Sequence, residues 1–150
     1  MLKFDILSNQ GKNQNFAEMG INIVHFPSTE KTPDVLLNPK GFIKIKGRAI
    51  DENIKKVPDQ IMKWIDQYLL NPVESTEVVI ALEYLNSFNT IIITSILREL
   101  LKVNEQSKKL VIKWYIENDD DDLFDRGESI SSAFNIPIEF IMTDDIKSMY

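Results

Sequence analysis

Two short apolar-leaning runs, Val35–Leu37 and Phe42–Lys46, flank Asn38-Pro39-Lys40-Gly41, which has Asn at the first turn position, Pro at the second and Gly at the fourth. This predicts a β-hairpin. In its second strand Ile43 and Ile45 alternate with Lys44 and Lys46, which assigns one face to the interior and the other to water. From Lys55 to Leu69 the period changes: Val57, Ile61, Trp64, Ile65, Tyr68 and Leu69 recur every three or four residues. That spacing predicts a helix, with Pro58 tolerated in its first turn and Asn71-Pro72 closing it.

Thr76–Leu85 is a nearly continuous run of β-branched, aromatic and aliphatic residues between polar turns, the pattern of a central strand buried on both faces. Asn89–Val103 opens with Ile91-Ile92-Ile93-Thr94, a β-branched cluster compatible with a strand. Ile92, Ile93, Ile96, Leu97, Leu100 and Leu101 nevertheless pair at four-residue spacing over more than two turns, and this decides for a helix. Lys109–Ile116 reads as a strand, Asp120–Phe134 as a helix and Ile136–Met142 as a last strand. Residues 1–31 are more weakly patterned and read as an N-terminal arm with one or two short strands, preceding a domain at 32–150. A hairpin followed by alternating helices and strands predicts an α/β fold. We expect a single domain with a mixed sheet of about five strands, its parallel members joined by right-handed crossovers.

Composition narrows the functional classes. With 43% hydrophobic and 27% charged residues in 150, the chain is an ordinary globular sequence able to fill one core. No apolar run approaches the roughly 18–20 residues of a membrane span, and Met1–Gln10 lacks the features of a secretory signal, so the expectation is a cytoplasmic protein without membrane insertion. The absence of cysteine excludes disulfides, thiolate catalysis and cysteine-based zinc sites. A net charge of −6 opposes binding to nucleic acid and points to proteins or cations as partners. His25 is the single histidine, which leaves no His-paired nucleophile and no multi-histidine metal site. Five glycines, none of them in a phosphate-binding loop, argue against nucleotide chemistry. The chain is expected to be no enzyme and to carry no cofactor.

Two stretches hold candidate chemistry. Asp119-Asp120-Asp121-Asp122, with Asp125 and Glu128, follows the strand Lys109–Ile116 at the carboxyl edge where α/β sheets place ligands. These carboxylates either hold Mg²⁺ or Ca²⁺, or cap the next helix and complement its positive end, or form an acidic patch facing a partner. Leu82-Glu83-Tyr84-Leu85-Asn86-Ser87-Phe88-Asn89-Thr90 joins a central strand to a helix start, where free N–H groups and the helix dipole favour an anion. A phosphate there would add roughly −1.5 to −2 charges without refolding the core. The plain alternative is that Ser87 or Asn89 is the helix N-cap.

These residues resemble the SiaC family of regulatory phosphoproteins. The matches run in order: Thr32-Pro33-Asp34-Val35, Gly47-Arg48-Ala49-Ile50 with Glu52-Asn53, Trp64-Ile65-Asp66-Gln67-Tyr68, Leu82-Glu83-Tyr84-Leu85-Asn86-Ser87, Ile112-Lys113-Trp114-Tyr115, and Asp119–Asp122 with Gly127-Glu128. The resemblance covers about Thr32 to Met142. It implies a switch protein, similar in logic to anti-sigma-factor antagonists of the STAS class. A Ser/Thr kinase adds a phosphate, a PP2C-type phosphatase removes it, and the two forms bind different partners. In one branch the unphosphorylated form activates a diguanylate cyclase, which ties the family to cyclic-di-GMP signalling and biofilm formation.

The family's phosphoacceptor is the threonine at the end of its Leu-Glu-Tyr-Phe-Asn-Thr segment, and the matching position is Ser87, with Thr90 as an alternative acceptor. Where the family continues with two serines and a lysine, this chain has Phe88-Asn89-Thr90-Ile91. The expected partner-binding surface comprises Arg48, Glu83, Asn86, Phe88 and Asn89, together with Asp120 and Asp121. Arg48 either contacts a phosphate or acidic partner through its planar fork, or pairs with Asp51 or Glu52. Tyr84 reads as structural. Two other functions stay open: a constitutive binding scaffold without phosphorylation, and a Mg²⁺-dependent enzyme using Asp119–Asp122.

Overall fold

A tight turn is built by Asn38 and Gly41. Asn38 Oδ1 accepts from the Lys40 N–H at 2.9 Å, and the Gly41 N–H returns to the Asn38 carbonyl at 3.0 Å. Gly41 has φ of +100°, and a Cβ there would stand 2.5 Å from the Ser75 carbonyl oxygen, so both backbone conformation and space require glycine. The structure is a computed structural model and describes residues 21–149.

The turn joins strands β2 (Asp34–Asn38) and β3 (Phe42–Ala49), and β1 (Val24–Phe26) lies antiparallel on the outer side of β2. Helix α1 (Lys56–Tyr68) leads to β4 (Ser75–Leu85), and α2 (Ser87–Leu100), followed by one helical turn at Lys102–Glu105, leads to β5 (Lys109–Glu117). Helix α3 (Asp121–Phe134) leads to β6 (Glu139–Thr143), and a 3₁₀ turn at Ile146–Ser148 follows. The sheet order is β1-β2-β3-β4-β5-β6, with β3 to β6 mutually parallel. Because every crossover advances in the same direction, right-handed connections set all three helices on one face.

Under those helices the core is continuous. Ile43 and Ile45 on β3, Val78, Ile80 and Leu82 on β4, and Ile112, Trp114 and Ile116 on β5 pack against Ile61 and Ile65 of α1, Ile93 and Leu97 of α2, and Leu123 and Ile130 of α3. The opposite face follows the alternation read from sequence: Lys44 and Lys46 stand there beside Val79 and Ala81. Lys113 Nζ meets Glu77 Oε2 at 3.2 Å on that face, and the hydrogen bond and charge of Glu77 hold the ammonium above its usual range. The 3₁₀ turn covers the carboxyl end of this face. Ile146 is fully buried, its N–H donates to Glu117 Oε2 at 2.9 Å, and Lys46 Nζ donates to the Met149 carbonyl.

The α/β class with a mixed sheet is as expected, with six strands among the described residues instead of about five. The added strand is Val24–Phe26, inside the stretch read as an arm. From residue 21 onward it is tied to the fold: Ile21 is buried, and Trp64 Nε1 donates to the Asn22 carbonyl at 2.9 Å. Residues 1–20 lie outside the described residues. The last strand begins at Glu139, not Ile136, because Pro137 has no N–H to give a ladder and Ile136 serves as a buried loop anchor.

Candidate functional site

The link between β4 and α2 is one residue long, and that residue organises the site. Asn86 is the N-cap of α2, a role read from sequence as belonging to Ser87 or Asn89. Its Oδ1 accepts from the Asn89 backbone N–H at 2.9 Å, and its Nδ2 donates to the Ile50 carbonyl at 2.9 Å. Asn89, named from sequence as partner-binding, is 6% exposed and works inside the protein: its amide donates to Asn86 Oδ1 at 2.8 Å and to the Asp51 carbonyl at 3.1 Å. The two asparagines thereby fasten the helix start to the loop leaving β3.

With the cap assigned to Asn86, Ser87 occupies the first helical position. It is exposed, and among the described residues its side chain makes no hydrogen bond. Thr90 differs. Its hydroxyl donates to the Asn86 carbonyl at 2.8 Å and accepts from Arg126 Nη1 at 3.2 Å. Close to Ser87 in the chain, three large hydrophobic side chains are exposed: Tyr84 at 54%, Phe88 at 40% and Ile91 at 68%. Tyr84, read from sequence as structural, is a surface residue, and Arg48 lies over its ring with the guanidinium carbon 4.6 Å from the centroid. Of the two readings of Arg48, pairing with Asp51 or Glu52 is not seen among the described residues, and the guanidinium is held by this cation–π stack instead. The Arg48 Nε is buried and has no hydrogen-bond partner among the described residues. Glu83 is largely covered, and the Lys147 ammonium approaches its Oε1 at 4.0 Å.

The acidic run begins α3 on the neighbouring strand's carboxyl end. Asp120 is the N-cap, its Oδ1 accepting from the Leu123 N–H at 3.1 Å, while Asp121 and Asp122 lie exposed in the first turn. These are the positions where carboxylates complement a helix dipole. Asn118 Nδ2 donates to Asp144 Oδ1 at 2.5 Å across an open hollow lined by Glu117, Asp119 and Asp120. Among the described residues no three acidic or imidazole side chains gather as a metal site would require. No helix among them is long and apolar enough to cross a membrane. Behind Asn89 an apolar cavity of about 70 Å³ is lined by Val57, Ile61, Ile93 and Ile96, far below the roughly 300 Å³ of a small metabolite site.

The structure thus gathers Ser87, Phe88, Tyr84 and Arg48 at one edge, keeps Asn86 and Asn89 for internal use, and places Asp120 and Asp121 at the adjacent helix start. Sequence reasoning missed three members of this edge. Ile91 was read as part of an apolar cluster, Tyr84 as structural, and Arg126 was hidden among acidic neighbours. A period count would have found Ile91, which lies off the Ile93–Leu97–Leu100 face.

Comparison with known proteins agrees with the architecture. An uncharacterized protein of Pseudomonas aeruginosa (strain UCBPP-PA14) is 20% identical over 123 residues, 81% of this chain and 98% of that protein. The crystal structure of apo-SiaC from Pseudomonas aeruginosa superposes with a TM-score of 0.71 at 20% identity, covering 81% of this chain and 99% of that one. SiaC in the crystal structure of the diguanylate cyclase SiaD with its activator SiaC, from the same organism, gives 0.73 at 19% identity over 80% and 99%. At these identities the likeness is one of fold. The sequence model of the SiaC family regulatory phosphoproteins matches residues 26–143, most of the chain from β1 to the end of β6, and the chain belongs to that family.

Proposed function

We propose that this chain is a non-enzymatic signalling protein whose binding surface at the start of α2 is switched by phosphorylation of Ser87. One observation carries the reading: at the position matching the family's phosphoacceptor stands an exposed hydroxyl that makes no hydrogen bond among the described residues, at the first residue of a capped helix. A Ser/Thr kinase would transfer the γ-phosphoryl group of ATP to Ser87 Oγ, with loss of the hydroxyl proton and release of ADP, and a PP2C-type phosphatase would return the serine by hydrolysis. Thr90 is the weaker acceptor because its hydroxyl is engaged on both sides.

The unmodified surface presents Tyr84, Phe88 and Ile91, large apolar groups that a protein partner can cover. A dianion placed among them would have to be desolvated on binding, and that cost sets the sign of the switch: the unphosphorylated form binds. A diguanylate cyclase is the effector class this reading assigns, by analogy with the activator role of SiaC toward SiaD. The setting is then the cytoplasm, where cyclic-di-GMP is made.

Incubation with the cognate kinase and ATP, followed by intact mass and site mapping, tests it. A single phosphate on Ser87, absent from Ser87→Ala, is the expected result. No incorporation with a kinase that is active on another substrate, or incorporation elsewhere, removes the proposal. The second reading, a constitutive scaffold, draws on Phe88-Asn89-Thr90-Ile91 following Ser87 where the family continues with two serines and a lysine; it requires partner binding that is the same before and after kinase treatment.

A further inference from the structure

Arg126 bridges α3 and the first turn of α2. Its Nη1 donates to Thr90 Oγ1 at 3.2 Å. Thr90 follows Ser87 by three residues, and side chains so spaced lie on one helix face about 5–6 Å apart at Cβ. The guanidinium is therefore held about one helical turn from the Ser87 hydroxyl, on a neutral oxygen that is already donating to the Asn86 carbonyl. Among the described residues no carboxylate lies within ion-pair distance of Arg126. One hydroxyl uses little of a planar fork whose geometry matches a phosphate.

We propose that Arg126 receives the phosphate on Ser87, moving from the Thr90 hydroxyl to two phosphate oxygens and tying α3 to the start of α2. This rests on the Ser87 reading above and specifies how the modified form differs from the unmodified one: by a bridge between two helices as well as by charge. The neighbouring elements also carry the carboxylates Asp51, Glu83, Asp122 and Asp125 and the cations Arg48 and Lys147. The carboxylates oppose a dianion, Arg48 is stacked on Tyr84, and Lys147 faces Glu83. Arg126 is the guanidinium placed by its present contact on the same helix face as the acceptor.

The test uses the full chain with phosphoserine inserted at position 87 during translation, so its outcome is independent of any kinase. A ³¹P NMR titration reads the second ionisation of the phosphate, and an adjacent guanidinium favours the dianion and lowers that pKa. The expected result is an ionisation constant larger by about threefold or more in the parent than in Arg126→Gln. Arg126→Lys should recover part of the difference, and Arg48→Gln should leave the parent value in place. Equal constants in the parent and Arg126→Gln overturn the proposal, as does a shift that follows Arg48 instead. Should Arg126→Gln fail to fold, Arg126→Lys against the parent decides: the point charge without the fork must give a smaller constant, and equality overturns the bridge. The two proposals fail separately, because a chain that no kinase modifies at Ser87 can still show the Arg126-dependent shift.

Discussion

Asn89 donates twice to the same oxygen: its backbone N–H and its side-chain amide both reach Asn86 Oδ1, at 2.9 and 2.8 Å. Asn86 in turn donates to the Ile50 carbonyl. The start of α2 is therefore a hydrogen-bonded knot that joins two crossover loops, and Ser87 projects from it. Asn86→Ala removes the helix cap, at about 1 kcal/mol, and deprives the Ile50 carbonyl of its donor, at about 1 kcal/mol more. A loss of about 2 kcal/mol is expected by chemical denaturation with an unchanged m-value. Asn86→Asp keeps the capping oxygen but sets a carboxylate against the Ile50 carbonyl, so it should recover less than the whole loss. Full recovery would show that the cap alone matters.

Phe88 and Ile91 contribute little to the interior, being 40% and 68% exposed. Phe88→Ala and Ile91→Ala should leave stability within about 0.5 kcal/mol. If this surface binds the effector, the same changes weaken binding by about 1 kcal/mol or more each, measured by calorimetry with a diguanylate cyclase partner. Ser87→Asp should weaken it less than phosphorylation does, since one carboxylate carries less charge and fewer acceptor oxygens than a phosphate. Unchanged affinity in all three variants would place the interface elsewhere.

The hairpin and α1 were legible because their signals are local: a turn dictated by Asn38 and Gly41, and a helical period from Val57 to Leu69. The start of α2 was misplaced by two residues because the cap is chosen by partners far along the chain, the Ile50 and Asp51 carbonyls. Strand β1 is three residues long, too short to show alternation, and is defined by its pairing with β2. Ser87, the position proposed as acceptor, was picked out by a motif. Its neighbourhood was not, since the Arg126–Thr90 contact spans 36 residues and joins two elements that only the shared sheet edge brings together.

Tyr68 and Thr76 form a buried hydroxyl pair, Oη to Oγ1 at 2.7 Å, with both residues essentially inaccessible. Removing one partner leaves the other unsatisfied. Thr76→Val and Tyr68→Phe should each cost about 1–3 kcal/mol. The double variant should cost less than the sum by about 1 kcal/mol, because no orphaned hydroxyl remains. Tyr68→Phe keeps the ring stacked on Trp64, 5.2 Å between centroids at 11°, so its loss reports the hydroxyl rather than the packing. Strict additivity in a double-mutant cycle would mean that water satisfies the surviving group.

Gly127 lets α3 approach the sheet closely. A Cβ at this position would stand 2.8 Å from Phe140 Cε1 and 3.5 Å from Trp114 Cδ2, and Phe140 is itself fixed edge-on against Phe124 at 5.3 Å. Alanine raises helix propensity by about 1 kcal/mol over glycine, whereas overpacking a core contact costs about 1–3 kcal/mol. The Phe140 ring is hemmed in by Phe124 and Trp114, so the second effect should win and Gly127→Ala should be net destabilising by about 1 kcal/mol. Adding Phe140→Leu makes room for the methyl group, and the pair should be more stable than the sum of the two single losses implies. The same displacement would lift Arg126, the preceding residue, off Thr90. Gly127→Ala should therefore also shift the Thr90 methyl resonance in a methyl-labelled NMR spectrum. A Gly127→Ala protein more stable than the parent, with Thr90 unmoved, would mean that the helix already has the slack this close contact denies it.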